Sequence, residues 1–258
     1  MSIQTAKLYK ETTAVQRVWN TTLDASDTTP KEPKGSVRWT FDPVFGYRGF
    51  QYVRFDQSGG ATKDNICSYR GLVSVSASGA GSTTTIVTSG LTANILADGI
   101  IACLDDAGAA GAAPEGENAR VVSNSATLIT IDSNDAFSAA TASSDTFRVH
   151  LPWAVIDAAS GDTAAAVAGV VMVTQPQYSW GWVQFAGFHP TVSAVAAGTT
   201  ITANRDLIAS TNVVTNGSTS AVELRVGYTP FQLTTDTVIR KVGMYINCGF
   251  AKKVAASA

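Results

Sequence analysis

Tyr178-Ser-Trp-Gly-Trp-Val-Gln-Phe-Ala-Gly-Phe188 is the densest aromatic stretch in this chain of 258 residues, and it decides the fold class. Aromatic side chains at alternating positions are typical of a β-strand, because successive side chains of a strand point to opposite faces. In such a strand, Tyr178, Trp180 and Trp182 share one face. The earlier stretch Gln51-Tyr-Val-Arg-Phe55 has the same character, so we expect two aromatic strands that pack or pair with each other.

The rest of the chain is a series of short strand patterns separated by clusters of Gly, Asn, Asp and Ser. This density of short strands favours an all-β fold, with one or two β-sandwich or β-barrel-like modules, over alternating strands and helices. Strands are predicted at residues 37–41, 51–55, 71–77, 83–88, 99–104, 119–123, 126–132, 145–151, 168–174, 180–186, 221–227 and 237–249.

The chain divides into three predicted segments. Residues 1–35 are polar and end in the turn signal Pro30-Lys-Glu-Pro-Lys-Gly35, which predicts an extended arm. Residues 36–175 are predicted to form an N-terminal β-module, and residues 176–258 an aromatic C-terminal β-module. A single composite domain is the alternative.

Composition and charge bear on the class of partner. Charged residues make up only 15% of the chain, and a weakly charged surface favours association. Residues 1–70 hold ten Lys/Arg and seven Asp/Glu, a balance of +3, whereas residues 98–162 hold two Arg and ten Asp/Glu, a balance of −8. This asymmetry either steers docking to a partner or is a scatter of solvated charges. Dense Lys/Arg runs are lacking, so we expect no direct contact with nucleic acid.

The cysteines and the hydropathy pattern indicate a compartment. The three cysteines, Cys67, Cys103 and Cys248, are far apart and odd in number, which predicts buried free thiols made in a reducing cytosol. The start of the chain lacks the apolar stretch of a signal peptide. No run of about 18 apolar residues is present, so we expect no contact with a membrane.

Catalytic and metal-binding patterns are weak. His150 is expected to be a hydrogen-bonded structural residue, and His189, before Pro190, an exposed turn residue. The carboxylates of Asp132 and Asp135 lack the spacing of a calcium loop, so we interpret them as a turn. We therefore predict no catalytic residue, no cofactor and no metal site.

Binding is the remaining role for the aromatic residues. Their aromatic face either packs in the core, contacts another subunit, or forms a platform for glycans or bases. Core or interface is favoured, since exposed contiguous aromatic side chains are costly in soluble proteins. The candidate interface residues, of the types that anchor interfaces, are Trp19, Tyr178, Trp180, Trp182 and Phe188.

Five segments share a style of sequence, namely Phe45-Gly-Tyr-Arg-Gly-Phe-Gln-Tyr-Val-Arg-Phe55, residues 105–116, Ser144-Asp-Thr-Phe-Arg-Val149, Val167-Ala-Gly-Val-Val171 and Trp180-Gly-Trp-Val-Gln-Phe-Ala-Gly187. Together they resemble structural proteins of tailed bacteriophages. The likeness is one of style across roughly residues 40–250, and it is to the decoration (cement) or head-associated proteins of the capsid.

The resemblance implies a non-enzymatic component of a virion, made in the host cytoplasm and placed on the outer capsid surface. Its partners would be the major capsid protein and copies of itself, with a trimer as the expected arrangement. Two alternatives stay open. One is another virion component, such as a head fibre, tail-tube or adaptor subunit, and the other is a glycan- or receptor-binding β-module.

Overall fold

The computed structural model describes residues 19–70, 72–107, 111–157, 164–194, 206–210, 213–216, 225–230 and 240–248. These residues form β-strands and no α-helix, which confirms the predicted all-β class. The strands are β1 (Val37–Asp42), β2 (Gly46–Phe55), β3 (Ile66–Arg70), β4 (Val73–Ser76), β5 (Gly79–Ser82), β6 (Thr85–Val87), β7 (Ile100–Asp105), β8 (Asn118–Asn124), β9 (Leu128–Ile131), β10 (Thr146–His150), β11 (Ala154–Asp157), β12 (Ala164–Val171), β13 (Trp180–Ala194), β14 (Asp206–Ser210), β15 (Val213–Asn216), β16 (Arg225–Tyr228) and β17 (Arg240–Asn247).

The two aromatic strands pair directly, which is one of the two arrangements expected from the sequence. Strands β2 and β13 run antiparallel, with Trp182 opposite Tyr52 and Trp180 opposite Arg54. The centroid of the Tyr52 ring lies 5.2 Å from that of the Trp182 ring and 5.8 Å from that of the Trp180 ring. Cross-strand aromatic pairs of this kind add to the stability that area burial alone supplies.

The pairings around β2 and β13 close a first ring of five strands. Strand β2 pairs with β11, β11 with β3, β3 with β12, β12 with β13, and β13 with β2. Each strand contributes a fully buried side chain to one apolar cluster inside this ring, and these are Val53, Cys67, Val155, Val171 and Val183. Closure leaves no free sheet edge within the ring.

Strand β13 also belongs to a second ring, because its 15 residues reach beyond the first. Its C-terminal half pairs with β17 and β15, and the circuit continues through β14 and β16. Buried Val226, Met244 and Ile246 pack in one cluster with Ile66 and Val170 of the first ring. The predicted boundary at residues 175 and 176 lies between β12 and β13, which are hydrogen-bonded neighbours.

A seven-stranded sheet covers the outer face of β2 and β13. Its strand order is β4-β10-β7-β8-β9-β6-β5. Ile101, Val121 and Phe147 of this sheet share the largest apolar cluster with Phe50 and Trp182. The aromatic pair of strands is therefore buried on both faces, with Tyr52 and Trp182 towards the seven-stranded sheet and Val53 and Val183 towards the inside of the first ring.

Residues 19–35, which we call the strap, lie against the aromatic strands. Asp27 forms an antiparallel bridge with Trp180, and the Trp19 ring packs edge-on against Trp182 at 5.3 Å. The Tyr52 hydroxyl donates to Asp27 Oδ2 at 2.9 Å and accepts from the Lys31 amide at 3.2 Å. Residues 1–18 of the predicted arm lie outside the described residues.

Five strands lie outside the ranges predicted as strands from the sequence, namely β3, β5, β11, β14 and β15. Strand β5 has the sequence Gly-Ala-Gly-Ser, whose composition is typical of an exposed loop. It forms a strand because its backbone pairs with β6 and the Gly81 amide donates to the Thr141 carbonyl at 2.8 Å. Such pairings depend on partners distant in the sequence, so local composition does not reveal them.

Replacing Trp182 tests the central role of the paired aromatic strands. The Trp182 side chain is 0% exposed, so we expect Trp182→Ala to lower the free energy of unfolding by about 3–5 kcal/mol. Trp182→Phe should cost less, because the Trp182 indole N–H has no hydrogen-bond partner among the described residues. Urea unfolding measures both, with the exposed Val122→Ala as control; a Trp182→Ala loss no larger than that of the control would contradict the assignment.

Candidate interaction surface

The β1–β2 hairpin presents large apolar side chains to solvent. Trp39 is 58% exposed, Phe41 65% and Tyr47 60%, and Val44 in the connecting turn is 79% exposed. The ring centroids of Phe41 and Tyr47 lie 5.1 Å apart across the hairpin, and those of Trp39 and Phe185 lie 5.4 Å apart. We call these three exposed residues, Trp39, Phe41 and Tyr47, the hairpin aromatics. A contiguous exposed apolar patch marks a site of interaction.

A row of four aromatic rings continues from the hairpin turn across the outside of the second ring. Phe45 stacks on Phe188 with ring centroids 5.2 Å apart, and Phe188 packs edge-on against Tyr245 with centroids 5.1 Å apart. Tyr245 stacks on Tyr228 with centroids 5.0 Å apart. Phe188 and Tyr245 are direct register partners, as are Tyr245 and Tyr228. We call these four residues the aromatic ladder; Tyr228 and Tyr245 are its exposed members.

The hairpin turn is held by a side chain rather than by backbone alone. Asp42 Oδ1 accepts hydrogen bonds from the amides of Val44 at 2.8 Å and Phe45 at 3.0 Å. These two bonds lower the pKa of the Asp42 carboxyl, with the Val44 amide as the larger cause. Gly46 follows with φ of +75°, which brings the chain into β2. The turn thus positions Phe45 against Phe188 and aligns the hairpin aromatics.

Strand β1 lies at the edge of its sheet. In the part of the chain that the structure describes, it pairs with β2 alone, so the amides and carbonyls of its other side are open. Val37, Trp39 and Phe41 alternate along this edge as exposed residues. An exposed apolar edge strand is a template for pairing with another chain unless something covers it.

The five residues predicted as interface fall into three environments. Trp182 is 0% exposed and Trp180 5%, so both pack in the protein's own core, and Trp19 is half-buried against Trp182. Phe188 belongs to the aromatic ladder. Tyr178 was expected on the strand face of Trp180, and this is wrong: it precedes β13 with φ of +63° and is 36% exposed.

Sequence reasoning missed the hairpin aromatics as candidate site residues. The alternation of Val37 to Phe41 was visible and predicted a strand correctly. Alternation states that one face is apolar, and it is silent on whether another layer covers that face. The flanking turn at Asp42 to Gly46, where the chain reverses, was the available signal for a projecting hairpin.

The two histidines are placed the opposite way from the expectation. His189 is buried within β13, and its Nδ1 accepts a hydrogen bond from the Thr191 amide at 3.2 Å, whereas His150 at the end of β10 is exposed. The prediction was wrong because β13 continues through His189-Pro190 instead of turning there. A register shift between His189 and Val192 accommodates the proline.

The cysteines and carboxylates are held in structural settings. All three cysteines are free and buried, as expected. Burial, and then the Asp145 carboxylate, raise the pKa of the Cys103 thiol to about 11, and burial raises the pKa of Cys248. Protonated thiols are poor nucleophiles. Asp132 caps the short 3-10 helix Ser133–Asp135, and the described residues include no group of three or more His, Cys, Asp or Glu placed to hold a metal ion.

Comparison of the chain with protein families, curated proteins and solved structures gave no match. The described residues contain no helix long and apolar enough to cross a membrane.

Acid should loosen the hairpin turn through Asp42. The pKa of this carboxyl is lowered in the folded protein, so its contribution is present above the ordinary aspartate pKa and is lost as the pH falls through the folded value. We expect the amide NMR shifts of Val44 and Phe45 to titrate together, with a midpoint below that of free aspartate. Asp42→Asn keeps an acceptor oxygen and should abolish this titration; an unchanged titration in that variant would contradict the assignment.

Proposed function

We propose that this chain is a non-enzymatic structural protein of a tailed-bacteriophage virion that binds the outer capsid shell and stabilises it through contacts between subunits. The resemblance of the sequence to decoration proteins suggests the class of assembly. The exposed aromatic surface, formed by the hairpin aromatics and the aromatic ladder, is the single observation that carries the docking role.

The hairpin aromatics can supply a useful share of the docking free energy. Burying a large apolar side chain fully gives roughly 1.5–3 kcal/mol, and each of these three is more than half exposed in the free chain. Docking would therefore gain about 1 kcal/mol or more from each. Modest contacts suffice on a shell, because many copies, or the copies of a trimer, act together.

The backbone edge of β1 offers a second kind of contact. A strand from the capsid protein or from another copy can pair with the open amides and carbonyls of this edge. Strand β2 is fixed in the first ring by β11 and β13, so the hairpin is held in place before docking. A preorganised surface loses less conformational entropy on binding, which raises affinity.

Charge separation between the layers supports an oriented encounter. Acidic residues such as Asp105, Glu117 and Asp132 lie on the seven-stranded sheet or its connections. Residues 37–48 of the hairpin hold Arg38, Arg48 and Asp42, a balance of +1, with Arg48 paired to Asp42 at 3.9 Å. A weakly cationic docking side and an anionic opposite layer would orient the subunit towards an acidic surface.

The double variant Trp39→Ser/Phe41→Ser tests this docking surface. We expect it to fold as the wild type does, because both side chains are largely exposed, and to lose at least about tenfold in affinity for shells stripped of this protein. Sedimentation with shells and counting of bound copies per particle measure the effect. The matched control, Leu104→Ser/Val122→Ser, removes two exposed apolar side chains from the seven-stranded sheet and should bind normally.

The outcomes separate the parts of the proposal. Wild-type binding by the hairpin variant would reject this surface as the docking site. Failure of the wild-type chain to bind any shell would reject the decoration role itself. Imaging of particles adds the placement: copies on the shell surface support the proposal, whereas a ring around the tail would favour a tail-tube or adaptor subunit.

A further inference from the structure

The open edge of β1 carries its unpaired backbone groups on alternate residues. The Tyr52 amide of β2 donates to the Ser36 carbonyl at 2.8 Å, so Ser36 turns its backbone groups towards β2. This direction alternates along an antiparallel ladder, so the even-numbered residues of β1 also bond to β2. The odd-numbered residues therefore turn their N–H and C=O groups to the open edge, and these residues are Val37, Trp39 and Phe41.

The composition of β1 leaves this edge unguarded. Its sequence, Val37-Arg-Trp-Thr-Phe-Asp42, contains none of the Lys or Pro residues that commonly oppose pairing at an edge. Its β-branched and aromatic side chains instead favour an extended backbone. The edge is also held in place before any contact, because β2 is anchored in the first ring.

A second copy of β1 itself matches this edge. Two copies that run antiparallel about a twofold axis exchange hydrogen bonds only where odd-numbered residues lie opposite odd-numbered residues. A register with Thr40 opposite Thr40 of the second copy meets this condition. It places Trp39 opposite Phe41 of the second copy, and it does so twice, once on each side of the axis. Each of these aromatic pairs exchanges both of its backbone hydrogen bonds.

Charge complementarity favours the same register. It places Arg38 opposite Asp42 of the second copy, again on both sides of the axis. Among the described residues, the Arg38 guanidinium lies over the Trp19 ring, 5.6 Å from its centroid, and pairs with no carboxylate. Asp42 holds the turn amides through Oδ1, whereas its Oδ2 lies 3.9 Å from Arg48, too far for a hydrogen bond. The Oδ2 atom is therefore available to Arg38 of the second copy.

The neighbouring registers of the same parity fit less well. A register centred on Arg38 places the two arginines opposite each other, and like charges in that position destabilise the pair. A register centred on Trp39 places Arg38 opposite the neutral Thr40. A register centred on Phe41 places Trp39 opposite Pro43, which has no N–H to donate.

We propose that the β1 edge pairs with the β1 edge of a second copy of this chain, antiparallel about a twofold axis at Thr40. The pairing names the partner of this edge, and its use on a shell rests on the function proposed above. Odd-numbered side chains of both copies share one face, so pairing joins the two sets of hairpin aromatics into one bivalent docking surface. The contact is isologous and uses each edge once, so it ends at two copies.

A cysteine at Thr40 tests the register in the isolated chain. In a non-hydrogen-bonded antiparallel pair the Cα atoms lie about 4.5 Å apart, a separation that a disulfide spans. Thr40→Cys should therefore form a covalent dimer on mild oxidation, seen by non-reducing electrophoresis. The wild type should not, since its three cysteines are buried. Val44→Cys controls for chance collision, because Val44 is 79% exposed but lies in the turn, far from its counterpart in the proposed dimer.

Charge reversal tests the contact without any cross-link. We expect sedimentation equilibrium of the wild-type chain, with no shell present, to show a reversible dimer. Arg38→Glu places like charges opposite each other twice and should weaken the dimer at least about tenfold. Lys63→Glu makes the same change in net charge at an exposed residue outside the hairpin, and it should dimerise as the wild type does. Urea unfolding verifies that both variants are folded.

The outcomes separate this inference from the docking role. A monomer at every concentration, a three-chain species, or equally fast cross-linking of Val44→Cys and Thr40→Cys would overturn the twofold pairing. None of these results involves a shell, so shell binding is judged separately. Cross-linking of Thr40→Cys to the capsid protein on shells, by a chain that is monomeric in solution, would overturn the pairing while supporting the docking role.

Discussion

The pairing of β2 with β13 is the contact on which the rest of the structure depends. One face of this pair lines the first ring with Val53 and Val183, and the other face carries Tyr52 and Trp182 under the seven-stranded sheet. The second ring depends on the same pair of strands, because the C-terminal half of β13 is one of its strands. Both strands therefore contribute to two of the apolar clusters, and β13 contributes Val192 and Ala194 to the third.

The same residue types serve two purposes, and burial separates them. Trp182 is enclosed by the protein's own core, whereas Trp39 on the neighbouring hairpin stays largely exposed. The hairpin can keep that surface exposed because β2 is anchored by β11 and β13, and Asp42 fixes its turn. Strand β2 itself carries both kinds of residue, since Tyr47 near its start is exposed whereas Phe50 and Tyr52 further along are buried.

The strap shows how a polar segment becomes structural. Asp27 joins the backbone of Trp180 and accepts from the Tyr52 hydroxyl, while Lys34 lies over two indole rings. These contacts hold the strap against the buried aromatic residues of the main core. A segment of turn-forming residues becomes ordered in this way because the aromatic strands provide an apolar surface for it to contact.

The sequence alone predicted the all-β class, a contact between two aromatic strands and the burial of three free thiols, because residue type and period-two alternation are local properties. It could not decide which apolar faces are covered. That outcome rests on ring closure between segments such as Phe55 and Val155, which are 100 residues apart. Tertiary structure therefore assigned Trp182 to the core and Trp39 to the surface. It also brought Lys34 into an ion pair with Asp98, 64 residues away, since only the fold sets distances between remote residues.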